Sequence, residues 1–287
     1  MQICFSTASL PNRPLPEILS IGQRLGFKAV ELLAFDGYRH RLGWLAGFYW
    51  DRLSPAQRDE LARMTAQFDH IALHAPFIDT RPISPDPAIR EASVIELQAC
   101  IEAARILGAK VITTHAAPPP HFSYAEVRPR LVSLYRTLAD AAAEADVRIG
   151  IETGWPPPEQ MVDLVSAIDH PMVGITVDVG HLRGLLAPAD RESQDGPAIY
   201  NELVLNHIRT AGPYIVHVHV HDVRASDWRD HLALGRGILD FEAILRELRR
   251  ANYEGLLSFE LEDPQDEQAL ASSKASLEDV LQRICSE

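Results

Sequence analysis

Residues Arg148–Asp178 read RIGIETGWPPPEQMVDLVSAIDHPMVGITVD, and their reading decides the fold. A short apolar run, Arg148–Glu152, stops at a carboxylate. A proline-led amphipathic segment, Pro158–Ile168, carries apolar residues at helical spacing. A second apolar run, Val173–Asp178, again stops at a carboxylate. Strand, helix, strand is the unit from which parallel sheets are built.

Working outward, the same alternation covers the chain. Strands are expected at Gln2–Ser6, Ala29–Leu33, His70–His74, Lys110–His115, Arg148–Glu152, Val173–Asp178, Ile215–His221 and Leu256–Glu260. Helical patterns fall at Pro16–Leu25, Pro55–Phe68, Asp86–Leu107, Ser123–Ala145, Pro158–Ile168, Pro197–Ala211, Asp240–Arg250 and Asp266–Ile284. Ser54-Pro55 and Asp240 stand as helix starts, and Gly26 and Gly108 as helix ends. Eight strand–helix units predict an α/β fold, a closed (β/α)8 TIM barrel, with residues 1–287 forming a single domain. An open dinucleotide-binding sheet is disfavoured, because Ser6-Thr7-Ala8-Ser9-Leu10 lacks a glycine-rich phosphate turn.

The chain has 287 residues, 46% of them hydrophobic and 23% charged, as in ordinary globular proteins. No apolar run approaches the roughly 18 residues of a membrane span. The N-terminus lacks the pattern of a signal peptide. Three widely spaced cysteines, Cys4, Cys100 and Cys285, match no metal-binding spacing, so reduced thiols in the cytoplasm are expected. Forty acidic residues against 27 basic ones give a formal net charge of −13, which disfavours a nucleic-acid partner.

The strand ends carry the chemistry. In a TIM barrel they face one mouth, and here they offer His74, His115, Glu152, Asp178, His219 or His221, and Glu260 in succession. Any one has an ordinary explanation: a salt-bridged strand end for Glu152 or Glu260, a turn-capping aspartate for Asp178, a packed histidine in Val216-His217-Val218-His219-Val220-His221-Asp222. Convergence on one volume favours a site. Glu152, Asp178, His219 and Glu260 form a hard donor set for one divalent metal ion, with Mn2+, Zn2+, Co2+ and Mg2+ all compatible. Two open positions would suit adjacent oxygens of a hydroxy-ketone, whose acidified C–H would lead to an enediolate. A carboxylate on each side of the substrate plane could then remove the proton and return it.

These pieces resemble the xylose isomerase-like barrel superfamily, the sugar phosphate isomerase/epimerase group that also contains endonuclease IV. The resemblance spans essentially the whole chain. It rests on Leu73-His74-Ala75-Pro76-Phe77, Gly108–His115, Ile151-Glu152-Thr153, Asp178-Val179-Gly180-His181, His219-Val220-His221-Asp222, Leu234–Asp240 and Phe259-Glu260-Leu261. It implies Glu152, Asp178, His219 and Glu260 as metal ligands, the two glutamates as acid/base pair, and a substrate-binding role for His181. His74, His115, Arg224, His231 and Trp44 complete the expected substrate-binding set. The 3-epimerases carry an arginine six residues after the ligand histidine; Ala225 stands there, with Arg224 one residue short.

The reaction expected is isomerisation or epimerisation of a small sugar, keto-polyol or cyclitol. Two alternatives stay open, an inosose-type keto-polyol dehydratase and an endonuclease IV-like phosphodiesterase with a multinuclear zinc site. For the latter, His74, His115, Glu152, Asp178, His181, His219, His231 and Glu260 fall at ligand positions, whereas Arg229 takes an aspartate's place, with Asp227 and Asp230 close by. A barrel that binds a sugar or metal without turnover is a further reading. The aromatic stretch Phe35–Trp50 reads equally as a lid over the substrate or as a subunit contact, which leaves a homo-oligomer open.

Overall fold

The computed structural model describes residues 1–116 and 118–286. Eight parallel strands close into a barrel: β1 Gln2–Ser6, β2 Ala29–Leu33, β3 His70–His74, β4 Val111–Thr114, β5 Arg148–Glu152, β6 Val173–Asp178, β7 Ile215–Val220 and β8 Leu256–Phe259. Each pairs with its sequence neighbours, and β1 closes the ring against β8 through Gln2↔Leu256 to Phe5↔Phe259. Burial on both faces explains their composition: all six residues of β6 are buried, five of them apolar or β-branched.

Helices pack outside: α1 Leu15–Arg24, α2 Pro55–Thr65, α3 Pro87–Leu107, α4 Tyr124–Glu144, α5 Pro158–Ile168, α6 Gly196–Ala211, α7 Phe241–Arg250 and α8 Asp266–Cys285. Their starts follow from local chemistry. Ser54 and Gln57 form a capping box ahead of α2, and the Asp240 side chain accepts from the Ala243 N–H at 3.0 Å to start α7. Gly108 ends α3 at φ 75°, a left-handed residue with open space beside it.

Three of the expected strands run past the observed ladders. His115, His221 and Glu260 each lie one residue beyond the last ladder residue, where the chain bends into the loop that builds the mouth. Two small hairpins and one short helix were absent from the sequence-based expectation: Arg39–His40 with Gly43–Trp44, Asp222–Arg224 with Arg229–Leu232, and Pro188–Glu192. Elements of two to five residues are too short to show a period. Among the described residues no helix is long and apolar enough to cross a membrane. Cys4 and Cys100 are buried, Cys285 is exposed, and all three are free.

Candidate metal centre

Strand register brings the candidate ligands together. Asp178 on β6 is level with His219 on β7, which is level with Ser258 on β8. Glu152 ends β5, and Glu260 follows β8 directly. One ligand atom from each of Glu152, Asp178, His219 and Glu260 lies within 4.8 Å of the others, and all four side chains are buried. His219 Nδ1 stands 3.5 Å from Glu152 Oε1, 3.8 Å from Asp178 Oδ2 and 3.5 Å from Glu260 Oε2. Donor atoms held about 2.1 Å from a shared ion lie roughly 3–4 Å apart, so these separations fit a common cation.

Histidines surround the Glu152 carboxylate. His115 Nε2 is 2.9 Å and His74 Nε2 3.3 Å from Oε2, while His181 Nδ1 is 2.9 Å from Oε1. Yet both Glu152 oxygens and His219 Nδ1 are buried without a directed hydrogen bond. Tautomers, assigned from hydrogen-bond directions, explain why. A carbonyl can only accept, so His74 places a proton on Nδ1 for Ala75 O at 2.9 Å and turns Nε2 toward Glu152. His219 likewise directs Nε2 at the Glu31 carboxylate, 3.1 Å away, and Nδ1 at the cluster. Imidazole lone pairs and carboxylate oxygens facing each other require a positive charge between them, supplied by a proton or by a metal ion. Three carboxylates and an imidazole suit a divalent cation.

The charge distribution follows the same geometry. Burial pushes the Glu152 carboxyl up, but His115 and His219 outweigh it and hold it well below the usual carboxylate range. Asp178 is likewise lowered against its burial, by His181 and His221. Glu260 is raised, by burial and by the neighbouring Glu31 and Glu152, against the pull of His219 and His74. His181 rises to about 10 despite burial, through Asp178 and Glu152.

Asp178 caps a turn, one of the readings its sequence allows. Its Oδ1 accepts from the Gly180 and His181 N–H groups at 2.8 Å each, an Asx turn. Its other oxygen faces His219. His221 braces both oxygens: its Nδ1 accepts the His231 N–H at 2.9 Å, which leaves Nε2–H to donate to Asp178 at 3.0 Å. Gly180 permits this approach, since a Cβ there would collide with the His221 ring.

Above the cluster lies a cavity of about 250 Å³ reaching His74, His115, Glu152, His181, His231 and Glu260. One wall is apolar, with Phe35, Leu45 and Phe77; Phe77 stacks on His115 at 4.6 Å between ring centres. Arg39, His40 and Glu262 line the rim.

Arg224 and Trp44 do not line this cavity. Arg224 Nε and Nη2 donate to Asp227, at 2.8 and 2.6 Å. Trp44 sits in the first hairpin and packs half-buried against the core. Phe48 and Trp50 are core residues as well, so of the Phe35–Trp50 aromatics only Phe35 reaches the cavity. Phe77 and Glu31 are not among the residues that the sequence marks for the site, and His221 stands there only as the alternative to His219. Phe77 lay inside a quoted motif, and Glu31 is the one charged residue in the otherwise apolar Ala29–Leu33.

The model of the xylose isomerase-like TIM barrel family matches residues 19–283. An uncharacterised protein of Methanocaldococcus jannaschii is 28% identical over 244 residues, covering 81% of this chain and 77% of that one. The crystal structure of a D-tagatose 3-epimerase-like protein superposes with a TM-score of 0.73 at 25% identity, over 100% of this chain and 99% of that one. The crystal structure of the IOLI protein with a zinc atom superposes with a TM-score of 0.74 at 21% identity, over 99% of each chain.

Proposed function

The chain belongs to the xylose isomerase-like TIM barrel family, and we propose that it is a divalent-metal-dependent isomerase or epimerase of a small sugar, keto-polyol or cyclitol. The observation that carries this reading is the buried convergence at the mouth: Glu152, Asp178, His219 and Glu260 each bring a ligand atom within 4.8 Å of the others, and neither Glu152 oxygen nor His219 Nδ1 has a directed hydrogen bond. Gathering three carboxylates out of water around one imidazole is costly, so a fold retains such a cluster where a cation completes it. The likeness to a D-tagatose 3-epimerase-like protein supports the substrate class, and the zinc atom of the IOLI protein supports a divalent ion. The three free cysteines support a reducing, cytoplasmic setting.

Glu152, Asp178, His219 and Glu260 would hold the ion. When bound, it would polarise a substrate carbonyl and acidify the neighbouring C–H. Glu152 and Glu260 are the proposed acid/base pair, one taking the proton from carbon and the other returning it. Loss of a β-hydroxyl after the same abstraction would make the enzyme a keto-polyol dehydratase. His74, His115, His181 and His231 border the cavity and would bind substrate oxygens. Phe35, Leu45 and Phe77 would keep water from the reacting carbon.

A second reading, a phosphodiesterase with several zinc ions, is favoured by one observation. Asp230 lies 4.0 Å from His181 Nε2 and 3.8 Å from His231 Nδ1, and His231 Nδ1 is buried without a partner. His74, His115 and Glu152 form a further possible ligand group. Elemental analysis of protein dialysed against metal-free buffer separates the two. About one ion per chain, with exchange of substrate hydrogen into solvent D2O for some sugar or cyclitol, is the expected result. About three zinc ions would favour phosphodiester chemistry, and no ion after Mn2+, Co2+ or Zn2+ is added back would refute both.

A further inference from the structure

We infer that Glu31 is a positioning residue for the metal centre, holding His219 with Nε2–H turned into the barrel and Nδ1 presented to Glu152, Asp178 and Glu260; this rests on the metal-dependent reading above. Glu31 stands in the middle of β2, level with Ser6 on β1 and Ala72 on β3, and its side chain is fully buried. It reaches across the barrel interior to β7 and β8. Oε1 lies 3.1 Å from His219 Nε2, while Oε2 lies 3.3 Å from His217 Nε2 and accepts the Ser258 hydroxyl at 2.5 Å.

Those three contacts constrain what Glu31 does. An ionised carboxylate is acceptor-only, so it selects the Nε2-protonated form of each histidine. With the far nitrogen of His219 committed, the near one is free to be a ligand, and the ring cannot rotate without breaking a buried charge-assisted bond. A carboxylate behind a ligating imidazole also increases its basicity toward a cation. His217 Nδ1 has no partner, so donation to Glu31 is that ring's one polar contact among the described residues. Ser258 and His217 together occupy Oε2, which leaves Oε1 for His219. If Glu31 served only to fill the interior, an apolar residue of its volume would do so at lower cost, because a buried charge must be desolvated.

The test is a Co2+ titration followed by its visible absorption, which reports both affinity and ligand geometry. Wild type, Glu31→Gln, His219→Ala and the double variant are compared. Glu31→Gln is expected to weaken Co2+ binding about 10–100-fold and to alter the absorption band. In the His219→Ala background the same change should cost little more, because its route is through His219. Unchanged affinity and band in Glu31→Gln, or an equal loss in both backgrounds, overturns the inference. Should Glu31→Gln not yield folded protein by circular dichroism, Glu31→Asp, which keeps the charge but withdraws it by one methylene, takes its place in the cycle. Wild-type protein that takes up no Co2+ sinks the metal reading itself, so the wild-type titration tells the two failures apart.

Discussion

At the N-terminal end of the barrel strands Lys110 pairs with Asp146 at 2.6 Å, with side chains 66% and 83% exposed. At the C-terminal end Glu152 and Asp178 are buried, with side-chain exposures of 1% and 0%. Both ends are concave. The depression at the N-terminal end, bordered by Gln2, His70, Lys110, Asp146 and Arg148, is the larger at about 680 Å³, against about 250 Å³ at the mouth. Size therefore does not mark the site. At one end charge is solvated and its pairing is worth little. At the other, charge has been moved out of water into a cluster where Glu152 has no directed hydrogen bond, which is costly unless a ligand completes it.

The largest expected effect comes from breaking the mouth. Glu152→Gln keeps the side chain's shape but removes the charge that faces His115, His181 and His219. We expect loss of the bound metal and a fall in turnover of about a thousandfold or more, since a ligand and an acid/base group go together. A binding test follows from linkage. Metal at about 100 times its Kd stabilises the native state by about 2.7 kcal/mol, so a chelator should lower the wild-type Tm by about 4–5 °C. Glu152→Gln should show no such drop in differential scanning calorimetry. A variant that keeps its ion and its chelator response would mean that Glu152 is not a ligand.

The contrast between the two ends was partly legible in the sequence, and the reason is physical. A strand of apolar residues that stops at a carboxylate, as in Ile149-Gly150-Ile151-Glu152 or Val177-Asp178, has no packing rationale for its last residue. Eight short apolar strands in alternation with helices also specify where their ends meet. Glu31 is harder to assign because it sits mid-strand, away from the strand ends that meet at the mouth, and its partners lie 186 to 227 residues away. Arg224 and Trp44 show the opposite case, since neither lines the cavity. Both belong to hairpins too short for periodicity to reveal, and the hairpin turn hands Arg224 to Asp227 three residues on. His221 was visible as one of three alternating histidines, but its bond to Asp178 depends on the backbone N–H of His231, which only the folded loop supplies.

A smaller effect sharpens the comparison by asking what burial does to a histidine without carboxylates. His207 on α6 is buried, neither ring nitrogen has a partner, and burial pushes its pKa down to about 4 from 6.5. The unfolded chain therefore binds more protons than the native one between those values, so stability rises with pH. The contribution is complete above pH 6.5 and is lost as pH falls toward 4. Replacing this group by one that does not titrate, in His207→Phe, should flatten that part of the curve by roughly 2–3 kcal/mol. Urea unfolding of both proteins across this range measures the difference in slope. Parallel curves would mean that His207 is protonated or hydrated in the folded state.

The smallest effect belongs to the N-terminal end. Lys110 holds the Asp146 carboxyl below its usual range, yet both groups stay in water, where the same charges find equivalent partners after unfolding. Asp146→Asn should leave the Tm, the metal content and the turnover unresolved from wild type. Salt should not matter either, since there is little interaction to screen. The comparison is sharpest when Asp146→Asn and Glu152→Gln are measured side by side. Both exchange a carboxylate for an amide on the same stretch of barrel, and only the one removed from water should register. If Asp146→Asn also lowered metal content, charge at the two ends would be coupled through the barrel interior, and burial alone would no longer separate them.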